Sequence, residues 1–133
     1  MHGCNGHMGQ VITNLLKKDT QAQIVAGIDP FDEGKNDYPV FPSIDKCDVD
    51  ADVIIDFASA KAIDGLVDYC VAKNIPAVIC TTGLSEEQIE KINNASDKTA
   101  FLRSANMSLG INLLMKILKD ATKVLSPAGY DIE

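Results

Sequence analysis

At 133 residues, with 46% hydrophobic, 23% charged and only 5% aromatic residues, the chain has the size and balance of one α/β domain with a sizeable core. A net charge of −7 with no basic stripe excludes nucleic acid as the main partner, because nothing is present to release counterions from a polyanion. No run is long and apolar enough for a membrane span and no charged leader precedes an apolar segment, so a cytoplasmic protein with a small-molecule partner is expected.

Gly3-Cys4-Asn5-Gly6-His7-Met8-Gly9 opens the chain's first helical pattern, over Met8 to Lys18. Glycines at intervals of three describe a tight turn whose backbone N–H groups face a bound anion, as a dinucleotide pyrophosphate is held. The spacing is a G-x-x-G-x-x-G variant of the G-x-G-x-x-G fingerprint, since Cys4 stands two positions before Gly6. A plain helix-start loop is the alternative reading. His7 at the helix start either touches a phosphate or faces solvent. Met8, Val11, Ile12, Leu15 and Leu16 form the predicted buried face of this helix, with Lys17 and Lys18 at its cation-favouring end.

Such a turn normally follows a buried strand, and only Met1 and His2 precede Gly3. The first strand is therefore expected to be truncated, leaving the two halves of the sheet without a shared neighbour. Gln23 to Asp29 reads as the next strand, ending in Asp29 twenty residues after Gly9. A carboxylate there accepts the adenosine ribose hydroxyls, unless it is simply a solvated strand end. No Arg or Lys follows it directly, because Pro30-Phe31-Asp32-Glu33 comes next, so NADH is favoured over NADPH.

From Pro30 to Asp50 a proline-rich acidic loop with little regular structure is expected. Ala51 to Phe57 is a strand with Asp56 near its carboxyl end. Residues 60 to 73 then form an amphipathic helix facing inward through Ile63, Leu66, Val67, Cys70 and Val71. Ile75 to Cys80 is a strand, Ser85 caps a helix buried through Ile89, Ile92 and Ala95, and Thr99 to Arg103 is a strand. A long helix begins near Ser108, with Ile111, Leu114, Leu118, Ala121 and Leu125 on its core face, and Tyr130 to Glu133 has the pattern of a strand just beginning. Cys4, Cys47, Cys70 and Cys80 show no metal-ligand spacing and read as reduced thiols, so no metal is expected.

Alternating strands and helices imply a Rossmann-like doubly wound parallel sheet. Its ligands sit beyond the carboxyl ends of the strands, where the glycine turn, Asp29, Phe57-Ala58-Ser59, Thr81-Thr82-Gly83 and Ser104-Ala105-Asn106-Met107 all fall. Taken alone, Thr81, Thr82 and Asn106 are equally well turn-shaping residues.

G-C-N-G-H-M-G at Gly3 to Gly9, D-V-I-I-D-F at Asp52 to Phe57, T-T-G-L-S at Thr81 to Ser85, S-A-N-M-S-L-G-I-N at Ser104 to Asn112 and the closing D-I-E span nearly the whole chain. In that order they resemble the bacterial dihydrodipicolinate (4-hydroxy-tetrahydrodipicolinate) reductases, NAD(P)H-dependent oxidoreductases of the diaminopimelate route to lysine. The resemblance implies that Gly3, Cys4, Asn5, Gly6, His7 and Met8 cradle the pyrophosphate and that Asp29 takes the ribose. It further implies that Cys80, Thr81, Thr82, Ser104, Ala105, Asn106 and Met107 flank the nicotinamide. Cys80 departs from the family's usual glycine.

The family's E-x-H-H-x-x-K segment lies beyond D-I-E, whereas this sequence stops at Glu133. Residues 1–133 are therefore expected to be the cofactor-binding domain, incomplete at both ends, with no catalytic residue of its own and no turnover alone. The family's homotetramer-forming second domain is expected to be missing too. Two alternatives are a noncatalytic dinucleotide-binding module and another Rossmann oxidoreductase with convergent turns.

Overall fold

The computed structural model describes residues 1–32 and 34–131. Its helices are α1 (His7–Leu16), α2 (Ile63–Lys73), α3 (Glu86–Ala95) and α4 (Leu109–Leu125), with short 3₁₀ turns at Ile44–Lys46, Ala60–Ala62 and Ser126–Ala128. The strands are β1 (Gly27–Ile28), β2 (Val40–Phe41), β3 (Ile54–Asp56), β4 (Ala77–Ile79) and β5 (Phe101–Arg103). β1 pairs with β2, and β3, β4 and β5 pair in that order, every pair parallel.

The two ladders are joined through the first two residues. His2 forms parallel bridges to both Ile28 and Asp56. Its N–H donates to the Ile55 carbonyl at 2.8 Å and its carbonyl accepts from Phe57 N–H at 3.0 Å. On the other side, the Met1 carbonyl accepts from Ile28 N–H at 2.9 Å and Gly3 N–H donates to the Ile28 carbonyl at 2.8 Å. This corrects the expectation of two halves without a common neighbour: a stub of two residues makes enough ladder bonds to hold them in one parallel arrangement. The spatial order is β2, β1, the stub, β3, β4, β5, which is the doubly wound arrangement expected.

The core lies between the second half of this sheet and α2 and α3. Ile63, Leu66, Val67 and Cys70 recur at helical spacing and meet Ile54, Ala77 and Ile79 from the sheet and Ile92 and Ala95 from α3. Complete burial of a side chain such as Ile63 or Leu66 contributes about 1.5–3 kcal/mol. α2 stops at Asn74, whose left-handed φ of 54° ends the helix before Pro76. Ser85 caps α3 in a reciprocal capping box with Gln88. Gln88 Nε2 also donates to the Ala60 carbonyl at 2.7 Å, and Lys91 Nζ reaches Asp68 at 3.0 Å, pinning α3 to α2.

Several expectations change. The loop from Pro30 to Asp50 contains a strand, β2, hidden in the sequence because Val40 and Phe41 are hemmed by Pro39 and Pro42. The strand expected over Gln23 to Asp29 shrinks to Gly27–Ile28, because its earlier residues have no neighbour to pair with on one side. In α1 the buried residues are Gly9 and Thr13, while Met8, Val11 and Leu15 are exposed. The helix is drawn onto the turn through its glycine, which rotates the larger apolar residues to the flank. Thr13 Oγ1 donates to the Gly9 carbonyl and shares a 2.8 Å bond with the Tyr38 hydroxyl.

α4 begins after its Ser108 cap, as expected, but buries none of its residues against the domain. Ile111, Leu114, Leu118 and Leu125 are exposed, and Leu109 reaches 85%. The pattern is amphipathic, but among the described residues no element covers the apolar side. The strand expected at Tyr130 to Glu133 falls partly outside the described residues, and no strand is found at Tyr130 or Asp131.

Candidate functional site

Each element of the sheet hands its chain to the same edge. Gly3 follows the stub, Asp29 follows β1, Phe57 follows β3, Cys80 and Thr81 follow β4, and Ser104 follows β5. Because all strands run parallel, these turns share the carboxyl edge.

The three glycines have three different physical reasons. Gly3 sits at φ +76°, and a Cβ there would meet the Phe57 carbonyl oxygen at 2.7 Å. A Cβ on Gly9 would meet the Gly3 and Cys4 carbonyl oxygens at 2.3 and 2.5 Å, so this glycine lets α1 lie directly on the turn. Gly6 is different: its φ of −68° suits any residue, and a Cβ would meet nothing closer than the Gly3 oxygen at 3.4 Å. Among the described residues nothing demands glycine at Gly6, whose bare face lines a cleft of about 560 Å³. Close approach of a ligand is the remaining reason for a missing side chain.

The first helical bond of α1 is Gln10 N–H to the Gly6 carbonyl at 3.0 Å. The N–H groups of His7, Met8 and Gly9 therefore have no intrahelical acceptor, and the positive end of the helix dipole points from the turn. Asp29 holds the turn from the side: one carboxylate oxygen accepts Asn5 N–H at 3.1 Å, the other Phe31 N–H at 3.1 Å. Asn5 Nδ2 in turn donates to the Phe31 carbonyl, and its Oδ1 accepts from Asn36 at 2.7 Å. Asp29, Pro30 and Phe31 line the same cleft as Gly3 and Gly6.

The two halves of the predicted site differ in what the structure brings together. The glycine turn and Asp29 share the cleft, whereas Thr81, Thr82 and Ser104 to Met107 do not line it. They stand further along the edge, after β4 and β5. Thr81 is buried and its hydroxyl oxygen has no hydrogen-bond partner among the described residues; Thr82 is exposed. In the last turn Ser104 Oγ donates to the Asn106 carbonyl at 3.0 Å, and Asn106 Oδ1 accepts Ser108 N–H at 2.8 Å. Ala105 and Met107 are exposed there.

Cys4 and Cys80 reach the site through backbone alone, since both side chains are buried. Burial pushes the Cys4 thiol up to about 11 and raises Cys80, with the Asp56 charge adding to the latter. Among the described residues no group of His, Cys, Asp or Glu is placed to hold a metal.

Sequence reasoning missed two features. Ser43 and Lys61 line the cleft beside Asp29, brought there by the 3₁₀ turns before β3 and α2, which no periodicity announces. His2 and Asp56 form a buried pair, Nδ1 to Oδ1 at 2.7 Å, directly beneath the glycine turn. The same Asp56 oxygen accepts Ala58 N–H at 3.2 Å, while its Oδ2 is buried without a partner among the described residues. The D-F ending of the strand pattern marked Asp56, but nothing in the sequence marked His2.

A parallel, doubly wound sheet with a glycine-rich turn on its central strand and a carboxylate at the end of the next defines a Rossmann-like α/β domain. The family model described as dihydrodipicolinate reductase, N-terminus, matches residues 1–107. The chain thus belongs to the dihydrodipicolinate reductase family. It is 45% identical over 133 residues to the 4-hydroxy-tetrahydrodipicolinate reductase of Clostridium novyi (strain NT), covering all of this chain and 52% of that protein. The enzyme of the same name from Caldanaerobacter subterraneus subsp. tengcongensis is also 45% identical, over 137 residues, with 52% of it covered. The chain spans about half the length of the curated relatives it matches. Among solved structures, the dipicolinate-bound dihydrodipicolinate reductase from Paenisporosarcina sp. TG-14 shares the fold, with a TM-score of 0.78 over 91% of this chain and 51% of that one at 24% identity.

Proposed function

We propose that this chain is the nucleotide-binding part of an NAD(P)H-dependent 4-hydroxy-tetrahydrodipicolinate reductase, an oxidoreductase of lysine and diaminopimelate biosynthesis. The observation that carries this reading is Gly6: a glycine that neither backbone nor neighbours require, facing a cleft shared with Asp29. In this reading the His7 and Met8 N–H groups bind the pyrophosphate, with Gly3, Cys4 and Asn5 shaping the turn. Asp29 accepts the ribose hydroxyls.

Cys80, Thr81 and Thr82 and the turn from Ser104 through Ala105 and Asn106 to Met107 flank the nicotinamide. The cofactor supplies the hydride to a small unsaturated dicarboxylate; the chain's part is to fix the reactive carbon at this edge. The uncovered apolar side of α4 suits packing against the remaining half of such an enzyme.

NADH is preferred over NADPH in this account, because a 2′-phosphate in the cleft meets like charge from Asp29 and Asp45, which Lys61, the one lysine or arginine lining it among the described residues, offsets only in part. Calorimetric titration with each cofactor tests both claims. Saturable NADH binding that weakens about tenfold or more in Asp29→Lys supports the reading, on the scale of hydrogen bonds to a charged acceptor. NADH affinity untouched by Asp29→Lys would overturn the ribose assignment, and tighter NADPH binding would overturn the preference.

A further inference from the structure

Under the nucleotide cleft, one carboxylate oxygen holds two segments that are far apart in the chain. His2 and Asp56 are parallel bridge partners, so their side chains stand together on one face of the sheet. Asp56 Oδ1 meets His2 Nδ1 at 2.7 Å and accepts Ala58 N–H at 3.2 Å. The first bond ties the carboxylate to the residue that leads into Gly3, and the second shapes the turn that follows β3. Both segments line the cleft, one through His2 and Gly3, the other through Phe57, Ala58 and Ser59.

The backbone ladder between these segments ends with Phe57 N–H donating to the His2 carbonyl at 3.0 Å. Past that point Gly3 runs against Phe57 and Ala58 so closely that a Cβ on it would lie 2.7 Å from the Phe57 oxygen and 2.9 Å from Ala58 Cα. No backbone hydrogen bond joins Gly3 to either residue among the described residues. The Asp56 side chain continues the connection where the ladder stops.

Core packing does not account for this pair. Asp56 is fully buried, His2 is 5% exposed, and Asp56 Oδ2 has no partner among the described residues. A buried carboxylate with one oxygen unpaired stabilises less than an apolar side chain of similar size in the same place.

We infer, given the nucleotide-binding reading above, that His2 and Asp56 are positioning residues: their bond holds the glycine turn and the turn after β3 at the spacing a dinucleotide needs, acting through Gly3 and Ala58. Loss of the His2 ring frees the Asp56 carboxylate to turn away from Ala58 and lets Gly3 drift from Phe57. The amides of the turn then no longer converge on one phosphate position.

Calorimetric NADH titration of the parent chain and two variants tests this. His2→Leu keeps the bulk and removes the bond, whereas His2→Asn sets an amide group at the level of Nδ1 and remakes it. NADH binding is expected to weaken about tenfold in His2→Leu and to return to within about twofold of the parent in His2→Asn. Parent-like affinity in His2→Leu overturns the proposal, and so does equal weakening in both variants, since ring volume rather than the bond would then matter. Should His2→Leu fail to fold, His2→Ala takes its place with the same outcomes. If the parent itself binds no NADH, the nucleotide-binding reading fails, and hydrogen exchange decides the positioning claim separately. The Ala58 amide, taken relative to the buried amide of Ala77, should exchange about tenfold faster in His2→Leu and at the parent rate in His2→Asn. Unchanged Ala58 exchange in His2→Leu then overturns it.

Discussion

Gly9 and Gly65 are each the third residue of their helix, α1 and α2, and replacing either with alanine separates packing from propensity. In an exposed helix alanine is favoured over glycine by about 1 kcal/mol, and somewhat less near an end. Around Gly65 nothing lies within 4 Å of an added Cβ, so Gly65→Ala is expected to stabilise by about 0.5 kcal/mol. At Gly9 the same Cβ would lie 2.3 Å from the Gly3 oxygen and 2.5 Å from the Cys4 oxygen, both backbone atoms of a tight turn that cannot swing aside. Overpacking of this kind costs about 3 kcal/mol, which leaves a net loss of about 2 kcal/mol after the propensity gain. Urea denaturation followed by circular dichroism reads both variants, and the Gly9→Ala midpoint should fall by about 1 M. A Gly9→Ala chain as stable as the parent, beside a Gly65→Ala chain that gains stability, would refute the close approach of α1 to the turn.

Removing the carboxylate with Asp56→Ala leaves His2 and the Ala58 N–H unpaired under the glycine turn, and should cost about 2–4 kcal/mol in the same denaturation assay. The Met1 amine gives a pH dependence whose sign is set by its lowered folded pKa against about 8.0 unfolded. Between those values the unfolded chain holds a proton that the folded chain has released, so this group makes stability rise with pH up to about 8 and then level. Acetylating the amine should flatten that rise. Burial lifts the thiols of Cys4 to about 11 and Cys70 to about 12 and raises Cys80, whereas Cys47 is only half-buried. An alkylating reagent at neutral pH should therefore label Cys47 first in the folded chain and all four after denaturation, as intact mass would show.

The second half of the domain was legible in the sequence because it obeys local rules. Ile63, Leu66, Val67 and Cys70 at helical spacing, the Ser85 cap and the apolar runs before Cys80 and Arg103 each carry their own signal. The glycine turn was legible for the same reason, and its three separate roles emerge only from what surrounds each Cβ. What the sequence hid depends on contacts distant in the chain. β2 exists because β1 offers it an edge, Thr13 is buried because Gly9 pulls α1 down, and Lys61 reaches the cleft through a 3₁₀ turn. α4 shows the converse: its stripe from Ile111 to Leu125 predicts burial, but periodicity says only that a partner is wanted. His2 was invisible because a strand of two residues has no pattern, though it makes the bond that joins both halves.

The central claim is that turns from separate parts of the chain gather along the carboxyl edge of the sheet to hold a nicotinamide nucleotide. Backbone amide chemical shifts recorded during an NADH titration test it most directly. The account predicts that the largest changes fall in Gly3 to Gly9, at Asp29, at Thr81 and Thr82, and between Ser104 and Met107. Changes concentrated instead at Ile24, Val25 and Val53, on the opposite edge, would contradict it.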